Sequence, residues 1–310
     1  MYFVEHLIQL IKEKKSVISM GLDPRMDNEG EIPQFLINQY EDPDKIILEF
    51  NKELIESTHE LIPLIKPQIA FYEKYNALNA LKSTIKFAHK CGLLVILDSK
   101  RNDIGSTSSA YADSTFKVYG ADACTLNGYF GYDSIKPYLD NYNEKGLFVL
   151  VKTSNPSSNE FQNLFSTRLD KIEDSRTEIE LKNVKLERNY IHMAKLVGKW
   201  SEKLIKFSNY NNLGVVVGAT FPKELKVIRR LLNNSFILIP GYGYQGAQLK
   251  DIKNGFSPDG LGGIVNASRS IIYSYNKKPS YSPNKFALAA REEISKMNSE
   301  ISRAIKLSNL

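Results

Sequence analysis

"ILDSKRNDIGST", residues 96–107, begins as an apolar run and then sets two acids and two bases within six positions. Burying charge is costly unless the charges are paired or put to use. A strand that ends in Asp98, Lys100 and Asp103 therefore needs a reason. Its apolar half does not alternate with polar residues, which suits a strand covered on both faces, as in parallel sheets.

Working outward, seven further short β-rich runs punctuate the chain. They are "SVISMGLD" (16–23), "LIPLIKPQIAF" (61–71), "ADACTLNG" (121–128), "GLFVLVKTS" (146–154), "LGVVVGA" (213–219), "FILIPGYG" (236–243) and "GGIVNAS" (262–268). Helical patterns separate them, among them "DKIILEFNKELIESTHEL", "LNALKSTIKFAHKCG" and "PKELKVIRRLLNN". Strands alternating with helices pair in parallel through right-handed crossovers. Eight such units predict an α/β chain folded as a single (β/α)8 TIM barrel over 1–310. "KFALAAREEISKMNSEISRAIKL" then reads as a closing, docked helix. One stretch breaks the rhythm: 157–188, after the fifth strand, is polar and charged, and reads as a solvated excursion on the rim.

Composition narrows the function. The chain has 310 residues, 42% hydrophobic and 25% charged, an ordinary globular balance for one large domain. The formal charge is +6, but Lys and Arg are spread along the chain and mixed with acids rather than gathered into a stripe. That distribution disfavours nucleic acid as a partner and suits a small anionic substrate. Cys91 and Cys124 are too few for a disulfide framework or a zinc cluster. No apolar stretch approaches the roughly 18 residues of a membrane span. "MYFVEHLIQLIKEKK" reads as an amphipathic helix without a cleavage site, so no signal peptide is expected and the expected location is cytoplasmic.

Most of the runs finish in polar residues: Asp23, Lys66 with Gln68, Asp98 with Lys100, Asn127, Lys152 with Ser154, then Gln245, and Asn266 with Arg269. In a parallel barrel all those ends lie on one face, where such enzymes keep their chemistry. Each has a plainer role open to it: Asp23 before Pro24 can shape a turn, and Lys66 can snorkel to solvent. Asp98 and Lys100, two apart, would share one face of a strand, with Asp103 in the loop beyond. The set is either a structural ion-pair network or a reaction centre. Carboxylates also suit magnesium, but an ammonium between them opposes a cation and no histidine joins the cluster. His6, His59, His89 and His192 all fall in helical patterns. "PGYGYQG" (240–246) and "NASRS" (266–270) follow the seventh and eighth strands, where barrels commonly cradle phosphate on backbone N–H groups. Arg269 would add a fork of donors matched to a phosphate.

"DSKRNDIGST" resembles the D-x-K-x-x-D-I-G-x-T signature of the orotidine 5′-monophosphate decarboxylase family. "GLDPR" (21–25), "KPQIAFYE" (66–73), "VKTSNPS" (151–157), "PGYGYQG" and "NASRS" extend the resemblance along nearly the whole chain. The resemblance implies conversion of orotidine 5′-monophosphate to UMP, without cofactor or metal, by a homodimer with shared sites. It implies a catalytic array of Lys66, Asp98, Lys100 and Asp103, with Lys100 as proton donor. Asp103, Ile104 and Thr107 would complete the neighbouring subunit's site. Asp23, Lys66 and Gln68 would meet the ribose, and Ser154 the pyrimidine edge, with Thr153 as the alternative one residue earlier. Pro240 would wall the base, while Gly241, Gly243, Gln245, Ser268 and Arg269 would hold the phosphate. Tyr242 and Tyr244 are bulkier than many relatives carry there. Magnesium-dependent sugar-phosphate decarboxylases and aldolases of the same barrel superfamily share the bare D-x-K-x-x-D and stand as the alternative.

Overall fold

A computed structural model describes residues 1–27, 31–167, 185–243 and 248–305. Eight parallel strands close on themselves: β1 (Ile18–Leu22), β2 (Leu64–Pro67), β3 (Leu94–Arg101), β4 (Ala123–Leu126), β5 (Gly146–Lys152), β6 (Asn211–Val217), β7 (Ser235–Pro240) and β8 (Gly263–Ala267). Neighbours in sequence are neighbours in the barrel, and β8 returns to β1 with Ile18 opposite Val265. The strands are buried nearly end to end, which is why their sequences lack alternation.

Amphipathic helices cover the outside. The helix Pro43–Thr58 starts on an Asp42 cap, whose carboxylate accepts from Asp44 N–H, with proline in its first turn. Ile46, Ile47, Phe50, Leu54 and Ile55 recur at helical spacing and are buried. This stripe meets the closing helix Phe286–Ile305, where the Phe50 and Phe286 rings stack with centroids 5.1 Å apart. The opening helix Phe3–Lys14 packs at the start of β5, with the Phe3 ring against Gly146. The Phe3 ring stands edge-on to Phe148, Phe3 N–H donates to Glu144 O, and Val4 N–H donates to Asn212 Oδ1.

The 61–71 run is strand only over Leu64–Pro67 and then turns into the helix Ile69–Lys74. Ile69 and Tyr72 stay buried, so the apolar run continues through a change of backbone. After β5 comes a short 3-10 turn, Pro156–Ser158, and a helical turn, Asn159–Gln162. Phe165–Ser166 then pairs antiparallel with Glu187–Arg188, and the Arg188 guanidinium lies 4.5 Å over the Phe165 ring. The excursion expected over 157–188 thus leaves and rejoins the barrel at one point; its central part, 168–184, lies outside the described residues. Among the described residues no helix is long and apolar enough to cross a membrane. Cys91 and Cys124 are free thiols, and burial pushes both above the ordinary thiol value.

Candidate active site

The carboxyl ends of the strands ring a small cleft of about 160 Å³. Asp23, Lys66, Gln68 and Asp98, from the ends of the first three strands, line one side. Pro240 at the end of β7 and Gly241 and Tyr242 after it, with Asn266, Ser268 and Arg269 at the end of β8, line the other.

Asp98 is the hub. It is 6% exposed, and three groups donate to its carboxylate. Lys66 Nζ reaches Oδ2 at 2.5 Å, Lys100 Nζ reaches Oδ1 at 2.6 Å, and the Thr125 hydroxyl donates to Oδ1 at 2.8 Å. Burial alone would push the Asp98 carboxyl up, but the two ammonium groups outweigh it and hold the carboxyl well below the usual carboxylate range. Burial likewise drives Lys66, 4% exposed, toward the neutral amine; the charges of Asp98 and Asp23 reverse this and keep it above the ordinary lysine value. Asp98 and Lys66 are therefore both charged at neutral pH. Lys66 is walled in, whereas the Lys100 side chain is 44% exposed.

Lys100 does not reach Asp98 by the simple alternation of a strand. The β3–β4 register shifts between Leu97 and Arg101, and Lys100 adopts a left-handed backbone at φ 49°. Such a conformation is uncommon for a lysine and costs of order 1 kcal/mol. Lys100 N–H donates to Thr125 Oγ1 at 3.0 Å, so one threonine on β4 binds both the backbone of Lys100 and the carboxylate of Asp98.

Across the cleft, Gly241 (φ 97°) and Gly243 (φ 79°) take conformations closed to most residues, which explains the first two glycines of "PGYGYQG". Gly21 answers a different need: a Cβ there would stand 1.9 Å from Ser268 Oγ, so β1 and the start of the Arg269 turn meet only through a glycine. Asp23 Oδ1, Asn266 Oδ1 and Ser270 Oγ are buried without a protein partner among the described residues. Gln245, expected at the phosphate, lies outside the described residues, as does Tyr244.

At the end of β5, the Thr153 hydroxyl is held between Asn155 Oδ1 and Gln162 Nε2, and Thr153 N–H donates to Gln162 Oε1. Ser154 packs its backbone against Gly218, where a Cβ would approach Ser154 Cα to 2.8 Å. Lys152, buried, turns away from the cleft and donates to Ser158 Oγ and Asn159 Oδ1 under the Phe221 ring. Asn127 Oδ1 accepts Tyr129 N–H and shapes the turn after β4. Among the described residues, Asp103, Ile104 and Thr107 neither line the cleft nor hydrogen-bond to Asp98. Asp103 Oδ1 accepts Ile104 N–H, Thr107 is exposed, and Ile104 is 57% exposed. His89 pairs with Asp122 and His192 with Ser166 O, away from the cleft.

Residues 18–282 match the family described as orotidine 5′-phosphate decarboxylase / HUMPS. The chain belongs to that family. An orotidine 5′-phosphate decarboxylase of Petrotoga mobilis is 38% identical over 298 residues, covering 93% of this chain and 94% of its own. One from Clostridium novyi is 37% identical over 295 residues, covering 94% and 95%. A solved OMP decarboxylase of Leishmania donovani superposes with a TM-score of 0.74 at 29% identity, covering 99% of each chain.

In this member of the orotidine 5′-phosphate decarboxylase / HUMPS family, sequence reasoning passed over Thr125 and left Asn266 without a role. Asn266 was at least visible as a polar residue ending β8. Thr125 sits among Cys124 and Leu126 in an otherwise buried strand, where a threonine reads as a β-former. The available signal was its position: an inward residue at the mouth end of β4, beside the strand that carries the charges.

Proposed function

We propose that this chain decarboxylates orotidine 5′-monophosphate to UMP, the last step of de novo pyrimidine synthesis. The observation that carries the reading is the Lys66–Asp98–Lys100 array, buried at one end and open at the other, set in the mouth of a barrel whose relatives are named for this reaction.

The chemistry follows from that array. As the C6–carboxylate bond breaks, carbon dioxide leaves and the electron pair stays at C6. The Lys100 ammonium stabilises the developing carbanion and then gives it one proton, forming UMP; solvent reprotonates the amine. Asp98 lies beside the departing carboxylate and aims the Lys100 ammonium from one oxygen while Lys66 holds the other. Asp23 and Gln68 meet the ribose and Ser154 the pyrimidine edge; the hydroxyl of Thr153, the alternative, is already engaged. Pro240 walls the base. Gly241, Gly243, Gln245, Ser268 and Arg269 hold the phosphate, remote binding that is realised at the transition state. No step calls for a metal: both oxygens of Asp98 already face ammonium groups, an environment hostile to a cation.

We extend the reading to a homodimer in which Asp103, Ile104 and Thr107 complete the neighbour's site. Support comes from the lack of a hydrogen bond between them and Asp98 among the described residues and from the exposed apolar surface of Ile104. The whole chain, 1–310, is read as one barrel domain carrying 157–188 as an excursion, and a cytoplasmic location suits its free thiols.

Turnover of orotidine 5′-monophosphate in the presence of EDTA, for wild type and Lys100→Ala, tests the assignment. Wild type is expected to remain active, and Lys100→Ala to lose turnover by more than a thousandfold while still binding UMP. A Lys100→Ala rate within tenfold of wild type, a barrier change of only about 1.4 kcal/mol, would refute the proton donor. Loss of wild-type activity to the chelator would instead favour the magnesium-dependent sugar-phosphate enzymes.

A further inference from the structure

We infer that Thr125 is a positioning residue for the decarboxylation: its hydroxyl locks the carboxylate of Asp98 and the strained backbone of Lys100 into one reactive geometry. The inference rests on the reading of Asp98 and Lys100 as the reacting pair.

Three observations converge on this side chain. It is 1% exposed, on the inward face of β4, at the point where the β3–β4 register slips. Its hydroxyl is used in both senses, giving its proton to Asp98 Oδ1 at 2.8 Å and accepting Lys100 N–H at 3.0 Å. The N–H it accepts belongs to a lysine at φ 49°, a conformation that persists only where the surroundings over-determine it. A strand in regular register would send that N–H into the sheet ladder; here the ladder is interrupted and Thr125 supplies the acceptor. Ser99 Oγ donates to Thr125 O at 3.3 Å, so the residue between Asp98 and Lys100 is tied to the same threonine.

The two bonds are coupled. A hydroxyl carries one proton; once that proton is committed to Asp98, the oxygen lone pairs face the Lys100 amide. Asp98 therefore sets the direction of the hydroxyl, and the hydroxyl sets the backbone from which Lys100 extends. Without it, Asp98 keeps Lys66 on Oδ2 and Lys100 on Oδ1, but the Lys100 N–H loses its acceptor and the Lys100 backbone is free to leave the left-handed region. The ammonium would then approach C6 from a displaced origin. A displacement of about 1 Å can cost about a hundredfold in rate with binding left intact.

The test uses the full-length enzyme and three variants: Thr125→Val, which keeps the shape and removes the hydroxyl, Thr125→Ala, and Thr125→Ser, which restores the hydroxyl. The measurements are kcat and KM on orotidine 5′-monophosphate, Kd for UMP and the thermal midpoint. Val and Ala are expected to lower kcat by about ten- to a hundredfold. KM and the UMP Kd are expected to stay within threefold of wild type. Ser is expected to bring kcat back to within threefold of wild type, a rescue that general packing would not produce. The inference fails if Val or Ala keeps kcat within threefold. It fails equally if a folded Ser variant loses kcat by tenfold or more, and that criterion stands even where Val and Ala do not fold. If wild type itself does not turn over orotidine 5′-monophosphate, the proposed activity falls first, and the result is distinct from any ranking of the variants.

Discussion

Asp98→Asn removes one negative charge from a site where two positive charges meet, and the consequence for stability can be worked from burial. Lys66 is 4% exposed and its Nζ lies 2.5 Å from the carboxylate; Lys100 is far more open and can swing into water when the charge is gone. The loss therefore falls on Lys66. Removing one partner of a buried pair typically costs about 3–5 kcal/mol, and the nearby charge of Asp23 argues for the lower end, about 3 kcal/mol. For a chain of this size that is a fall of roughly 6 °C in the melting midpoint.

The pH dependence gives the sharper signature. In the native protein Asp98 titrates below the ordinary carboxylate value, so its contribution is present above about pH 4 and is lost as pH falls through the depressed value. Lys66 titrates above the ordinary lysine value, so its contribution is full below about pH 10 and is lost only as pH rises beyond. Between about pH 5 and 9 this pair leaves stability flat. In Asp98→Asn, burial pulls Lys66 below its ordinary value, and the charged amine then destabilises the fold until pH rises enough to neutralise it. The variant is expected to gain on wild type between pH 7 and pH 9.5 in urea unfolding. Adding Lys66→Met to Asp98→Asn is expected to recover most of the loss at pH 7, because the stranded charge is gone. A deficit below about 1 kcal/mol at pH 7, or one that is the same at both pH values, would refute the argument that these charges depend on each other.

Two further outcomes bear on the proposed substrate and assembly. Arg269→Ala is expected to raise KM for orotidine 5′-monophosphate by tenfold or more while changing KM for the unphosphorylated nucleoside little; equal effects on both in steady-state assays would remove Arg269 from the phosphate. Mixing inactive Lys100→Ala with inactive Asp103→Ala under subunit exchange is expected to restore about a quarter of wild-type activity, since half the dimers are hybrids and each hybrid holds one intact site. No recovery with demonstrated exchange would mean that each chain completes its own site.

The barrel was legible because its signal is repeated eight times; an error at one strand end, as at 61–71, does not disturb the rest. Phe71 was misread for a physical reason: the buried face of Ile69–Lys74 prolongs the apolar run of β2, and hydrophobicity does not mark where extended backbone becomes helical. The charged residues were legible by type, since Lys66 and Asp98 have few reasons to lie deep in a protein other than each other. Their geometry was not. Spacing predicts that Asp98 and Lys100 share a strand face, whereas a register slip and a left-handed turn bring them together, with Thr125 as the third party. Lys152 and Asn127 show the converse: strand-end polarity marked them alongside the cleft residues, yet their side chains hold up neighbouring turns.

The seam between β1 and β8 bears on how the chain comes to be folded at all. Ile18 waits for Val265, and the helix around Phe50 waits for Phe286. A nascent chain must therefore have Val265 and Phe286 clear of the ribosome before the barrel can close, carrying in the meantime an open parallel edge on β1. Long-range pairing of this kind is slow, and an open edge exposes backbone to other chains. Destabilising substitutions at the seam are thus expected to show first as lower soluble yield in cells, ahead of any change in the specific activity of the molecules that do mature.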